Sequence, residues 1–177
     1  MKKALITFLP MLLIIGVFAC PVFAGALAEF KGGIGVIPVS SGQGTDPTAT
    51  TVNRNIVRGV QPAGQIWVIR KLDAAVKTNG SIEVEGKGLV LGGGNNVGRA
   101  TGQRVFATLI CEAQALFTEH SSNLTGVPLD ANGNFSIDDV LSPAPPVPCV
   151  SPLLLIRNAA NLSWFAAGIL ESDDSDE

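Results

Sequence analysis

Glu83 and Glu85 stand two positions apart in Ser81-Ile82-Glu83-Val84-Glu85. On a strand that spacing puts both carboxylates on one face, about 7 Å apart. Paired carboxylates are the equipment of glycoside cleavage. On an exposed strand face they more commonly serve only to keep a sheet soluble. Cys111 supplies a thiol and His120 a ring nitrogen, the raw material of nucleophilic catalysis. No third group stands at a spacing that would orient such a pair, and no Gly-x-Ser-x-Gly elbow surrounds Ser40 or Ser41. Glu119-His120-Ser121-Ser122-Asn123 is polar throughout, which predicts an exposed His120.

Two glycine-rich runs invite a phosphate-cradling reading, Gly86-Lys87-Gly88 and Gly92-Gly93-Gly94-Asn95-Asn96-Val97-Gly98. Their spacing meets neither the dinucleotide fingerprint nor the Walker loop, which needs Ser or Thr where Gly88 stands. Loop 92–98 is therefore expected to join strands, with a small-ligand site as its functional alternative. The run from Asp130 to Asp139 resembles the oxygen-rich opening of an EF-hand calcium loop. Asp130, Asn132 and Asn134 hold its first, third and fifth positions. Phe135 takes the place of the turn glycine, and Leu141 that of the bidentate glutamate. Asp130, Asn132, Asn134 and Asp138 are the calcium ligands to test, while a hairpin turn explains Asn132-Gly133 without metal. No resident metal and no cofactor is expected.

Composition narrows the remaining classes. The chain has 177 residues, 46% hydrophobic and 15% charged, with a net charge of −3. That apolar share excludes a wholly disordered chain. The acidic balance predicts no nucleic-acid partner, since such proteins show a basic stripe. The absence of Tyr leaves Trp67 and Trp164 as the large aromatics. Both sit in apolar strand patterns, which predicts core packing rather than a sugar-binding platform.

The segments that position these residues begin with an export signal. Met1-Lys2-Lys3 is a positive n-region, Ala4 to Ala19 an apolar run, and Cys20-Pro21-Val22-Phe23-Ala24 a cleavage region. The expected leader is 1–24, with a second cleavage site after Ala28. Val17-Phe18-Ala19-Cys20 also has the outline of a lipobox, which makes Cys20 a candidate for lipidation and a lipid-anchored envelope protein the alternative to free secretion. No further membrane span is expected after the signal is removed. Cys111 and Cys149 are then the remaining pair, and an oxidising compartment predicts a disulfide between them.

Residues 25–53, rich in Gly, Ser and Thr, are expected to be a flexible lead-in with one short strand at Ile34–Ile37. Strands are expected at Gln65–Arg70, at Ser81–Glu85 after the Asn79-Gly80 turn, and at Arg104–Cys111. The last is apolar on both faces and should be buried on both. A second hairpin is expected with Val127–Asp130 and Asn134–Ile137 as arms. Leu153–Ile156 and Ser163–Ala167 complete the domain, and the proline-rich Ser142–Pro152 crosses between layers. Residues 171–177 form an acidic tail. The expected fold class is all-β, a single antiparallel β-sandwich of jelly-roll or immunoglobulin-like type spanning 54–170. The expected function is that of an exported, non-enzymatic protein, structural, adhesive or binding an extracellular or envelope partner. The alternative is a small secreted hydrolase or ligand-binding protein with its site near loop 92–98.

Overall fold

The computed structural model describes residues 24–43 and 51–171. The expected leader with Cys20, residues 44–50 and the tail beyond Glu171 lie outside the described residues. The elements are β1 (Ala26–Gly35), β2 (Val39–Gln43), β3 (Thr51–Arg54), β4 (Trp67–Val68) and β5 (Lys71–Lys77). They continue with β6 (Ser81–Lys87), β7 (Val90–Leu91), β8 (Arg104–Ile110), β9 (His120–Ser121) and β10 (Val127–Pro128). β11 (Phe135–Val140), β12 (Leu153–Asn158) and β13 (Trp164–Leu170) complete the set. No helix occurs among the described residues, so none there is long and apolar enough to cross a membrane.

The expected all-β, antiparallel class is present. Nine of the thirteen strands lie in one sheet, ordered β10-β8-β12-β13-β1-β5-β6-β11 with β9 alongside β8. Its end strands β10 and β11 approach each other, so the sheet curls into a nearly closed barrel. Two small ribbons, β2–β3 and β4–β7, stand apart from it. Alternation sets the inside. Phe30 of β1, Ala74 of β5, Val84 of β6 and Ile137 of β11 are register partners along one row, and all four are buried. β8 and β12 are buried on both faces, as the unbroken apolar run of β8 predicts. Both tryptophans pack inside. Trp67 stacks on Phe165 with ring centroids 4.1 Å apart, and Trp164 Nε1 donates to Asn55 O.

Three expectations need correction. Residues 25–53 are not merely a lead-in, because β1 sits mid-sheet, paired with β13 on one side and β5 on the other. Residues 130–133 do form a turn, in which Gly133 N donates to Asp130 O. Beyond the bond from Asp130 N to Asn134 O that closes it, its arms do not pair with each other, since β10 pairs with β8 and β11 pairs with β6. The Gln65–Arg70 strand shrinks to Trp67–Val68, and on either side of it only the single bonds Gly92 N to Ile66 O and Arg70 N to Lys87 O continue the pairing.

Gly86 shows how closely the barrel interior is filled. A Cβ there would stand 2.1 Å from Phe135 Cε1, so the ring occupies the space that a side chain on β6 would need. Gly86→Ala is expected to destabilise the fold by about 2 kcal/mol through overpacking. Adding Phe135→Leu should recover part of that loss. Urea unfolding of the single and double variants checks this; equal midpoints for the two would contradict it.

Candidate functional site

Three clefts collect the polar side chains. The first lies on the outer face of β1, β5 and β6, a groove of about 320 Å³. Register brings Glu29 opposite Ala75 and Ala75 opposite Glu83, and in the next row Lys31, Asp73 and Glu85 stand side by side. Glu83 and Glu85 therefore share a face, as their spacing requires, and Glu171 joins them at the groove. Lys31 is ion-paired with Glu171, and Lys77 Nζ lies 3.1 Å from Glu83. The hydrogen bond and charge of Glu171 raise the pKa of the Lys31 ammonium.

The second cleft, about 510 Å³, lies at the barrel seam, where Ser121, Ser122 and Asn123 face Asp139 and Ser142. Ser121 and Ser142 exchange backbone hydrogen bonds of 3.1 and 2.8 Å. Beside them the seam is held by a side chain, since Asn123 N donates to Asp139 Oδ2 at 2.7 Å. Glu119 borders this cleft and accepts from Arg157 Nη1 at 2.6 Å. Arg157 is buried on β12, with Nε donating to Leu162 O and its guanidinium 5.3 Å from the centre of the Phe106 ring.

His120 is not exposed, contrary to its polar surroundings in sequence. It is 4% accessible, because β9 docks against β8 and sets His120 opposite Leu109. Its serine neighbours are consumed in that docking. Ser122 Oγ accepts from Ala107 N, and the hydroxyls of Ser121 and Thr108 bond each other. His120 Nδ1 lies 2.9 Å from Pro143 O, which can only accept, so Nδ1 carries the proton. Nε2 is buried without a partner among the described residues. His120 and Cys111 do not form a nucleophile–base pair, because the Cys111 sulfur is bonded to Cys149. That bridge ties the end of β8 to the proline-rich loop, and Ser151 N donates to Cys111 O beside it. Arg58 clamps the same place, donating to Ile110 O at 2.9 Å and to both Ser151 O and Ser151 Oγ. Its half-burial lowers the guanidinium pKa.

No family model matches this chain, and no curated protein or solved structure does either. Function therefore rests on the geometry alone.

The third cleft, about 470 Å³, brings the turn at 130–134 against β4 and the glycine-rich loop. Asp130 Oδ1 accepts from the backbone N–H groups of Asn132 and Asn134, and Oδ2 accepts from Asn134 Nδ2. Asn134 Oδ1 in turn accepts from Gly88 N. The candidate calcium ligands are thus divided. Asp130 and Asn134 bond each other, whereas Asp138 lies down β11 on the outer face, opposite Glu83. No group of three or more acids, His or Cys that could hold a metal ion occurs among the described residues.

The donated N–H groups, that of Asn134 foremost, lower the Asp130 pKa below the ordinary carboxylate range. The unfolded chain therefore takes up that proton first as pH falls. The stability contributed by Asp130 is complete above the ordinary carboxylate pKa and is lost as pH falls through the depressed folded value. Asp130→Asn is expected to flatten the acid limb of the stability–pH curve. Urea unfolding repeated from neutral pH down through the carboxylate range checks this. Parallel curves for the two proteins would contradict it.

Proposed function

We propose that the protein is an exported, non-enzymatic β-domain that binds an envelope or extracellular protein partner through the two loops joined at Cys111–Cys149. The observation that carries this reading is the exposure of Leu116 (92%), Val150 (84%) and Val147 (60%). Single exposed apolar residues are ordinary on any surface. Here three of them stand on loops that a covalent bond and the Arg58 clamp hold to one scaffold. Apolar side chains on rigidly held loops lose little conformational freedom on docking, which favours their use in recognition.

Export is part of the same reading, and the disulfide supports it. Between the two cleavage sites, the one after Ala24 leaves β1 whole. Cleavage after Ala28 would remove the Gly25 carbonyl that accepts from Thr78 N, together with buried Ala28, which faces Val76. Intact-mass measurement of the protein from separated soluble and membrane fractions, alkylated without reduction, tests this. The expected species is soluble, begins at Gly25 and carries no alkyl group. A membrane species beginning at acylated Cys20 would replace secretion with lipid anchoring, and alkylated thiols would refute export to an oxidising compartment.

The binding surface is tested with a photo-crosslinking residue placed at Val147 in living cells. The expected result is one discrete adduct that disappears on Leu116→Asp plus Val150→Asp and is absent when the probe stands at Glu83. Equal labelling from Glu83, or an adduct indifferent to the aspartates, would overturn the assignment.

A further inference from the structure

The third cleft has features that the partner-binding reading leaves unused. Val68 and Val90, partners across the β4–β7 ribbon, give it an apolar patch. Arg70 stands at its edge. Among the described residues no hydrogen bond or ion pair engages the Arg70 side chain, only its backbone N–H, which donates to Lys87 O. The guanidinium lies over Gly88. A Cβ added to Gly88 would sit 3.0 Å from Arg70 Cβ, 3.6 Å from Nε and 3.7 Å from Cζ, so the absence of a side chain there lets Arg70 lie across the strand.

The surroundings are cationic on an otherwise acidic protein. Lys71 and Lys87 face each other directly across the β5–β6 ladder, an arrangement that costs stability. Asp73 pairs with Lys71, which leaves Lys87 and Arg70 uncompensated. The nearest carboxylate on the turn, Asp130, is turned into its own loop by three donated hydrogen bonds. The amide of Asn134 is likewise committed at both ends. The exposed Asn132 contributes only its backbone N–H to the turn, so its amide is free to donate into the cleft.

An unpaired planar cation, a free amide and an apolar patch in a cleft of about 470 Å³ fit one kind of ligand. We propose that this cleft binds a small amphipathic carboxylate. The carboxylate is gripped by the fork of Arg70 with help from Asn132, and its short apolar body lies on Val68 and Val90. Lys87 adds long-range attraction without direct contact. The site is separate from the Cys111–Cys149 loops, so either assignment can fail without the other.

The test is a titration of the natively processed protein, followed by backbone amide NMR shifts, with three probes. Octanoate carries head and body, acetate the head alone, and 1-octanol the body alone. Octanoate is expected to bind at least about ten-fold more tightly than either fragment, with shifts centred on Val68–Arg70, Gly88–Val90 and Asn132. Arg70→Gln should weaken octanoate by about ten-fold or more, the usual range for a lost charge-assisted bond, and leave 1-octanol unchanged. An otherwise superimposable spectrum shows that the variant is folded. Octanoate binding no better than 1-octanol, shifts centred elsewhere, or affinity indifferent to Arg70→Gln would each overturn the proposal.

Discussion

Replacing Cys111 and Cys149 together by alanine is expected to lower the unfolding free energy by about 4 kcal/mol, and the thermal midpoint by about 10–15 °C. The two cysteines are 38 residues apart in sequence, and the segment between them carries β9, β10 and β11. Without the covalent link, the unfolded chain regains the freedom of that loop. The folded contact has other supports, because Arg58 still reaches Ile110 O and Ser151 O, and Ser151 N still reaches Cys111 O. The double variant should therefore fold to the same sheet from a less constrained denatured state. Thermal and urea unfolding of the oxidised protein and the variant measure the difference, and the reduced native protein should follow the variant. A loss below about 1 kcal/mol would mean that the denatured chain already holds these segments together.

The second large effect concerns the pair at the seam. Glu119→Ala is expected to cost about 2–3 kcal/mol, because it removes the counter-ion of a buried guanidinium. The asymmetry between partners is the physical point. The Arg157 side chain is only 5% accessible, while that of Glu119 is 47% accessible. Losing Glu119 strands a guanidinium inside the protein, whereas losing Arg157 leaves a carboxylate that water can reach. Arg157→Met keeps an apolar stem over Phe106 and should cost less, about 1–2 kcal/mol. In the double variant the two losses should not add, because the stranded charge is gone. A double-mutant cycle in urea reads this directly. Additive losses would show that Leu162 O, Thr108 Oγ1 and the Phe106 ring suffice to hold the cation.

Local pattern carried much of the architecture. β6 was legible because Ile82 and Val84 alternate with Glu83 and Glu85 next to an Asn-Gly turn, and β8 because its run is apolar on both faces. β1 was not. Its glycines and alanines have poor strand propensity, and its place comes from Val76 on one side and Leu170 on the other, partners that no local window contains. The Asp130–Gly133 turn was read correctly from turn chemistry, but the strands its arms join lie at opposite ends of the sheet. His120 was misjudged because serine neighbours suggest solvent, although serines can be satisfied by an adjacent strand, as Ser122 is by Ala107 N and Ser121 by Thr108. For Asp139 a signal did exist. The alternation of Phe135 and Ile137 continues to Asp139, which sets that acid facing inward, where the seam needs an acceptor.

The pairing of β1 with β13 also bears on when the molecule can fold. Phe30 and Leu170 are register partners, so β1 lacks one of its two neighbours until the chain as far as β13 has emerged. Contacts this far apart in sequence make for slow folding, since the intervening chain must be ordered before they form. A chain emerging N-terminus first presents β1 long before β13 exists. The sheet therefore cannot close until its last strand has emerged, and until then β1 keeps one edge unpaired.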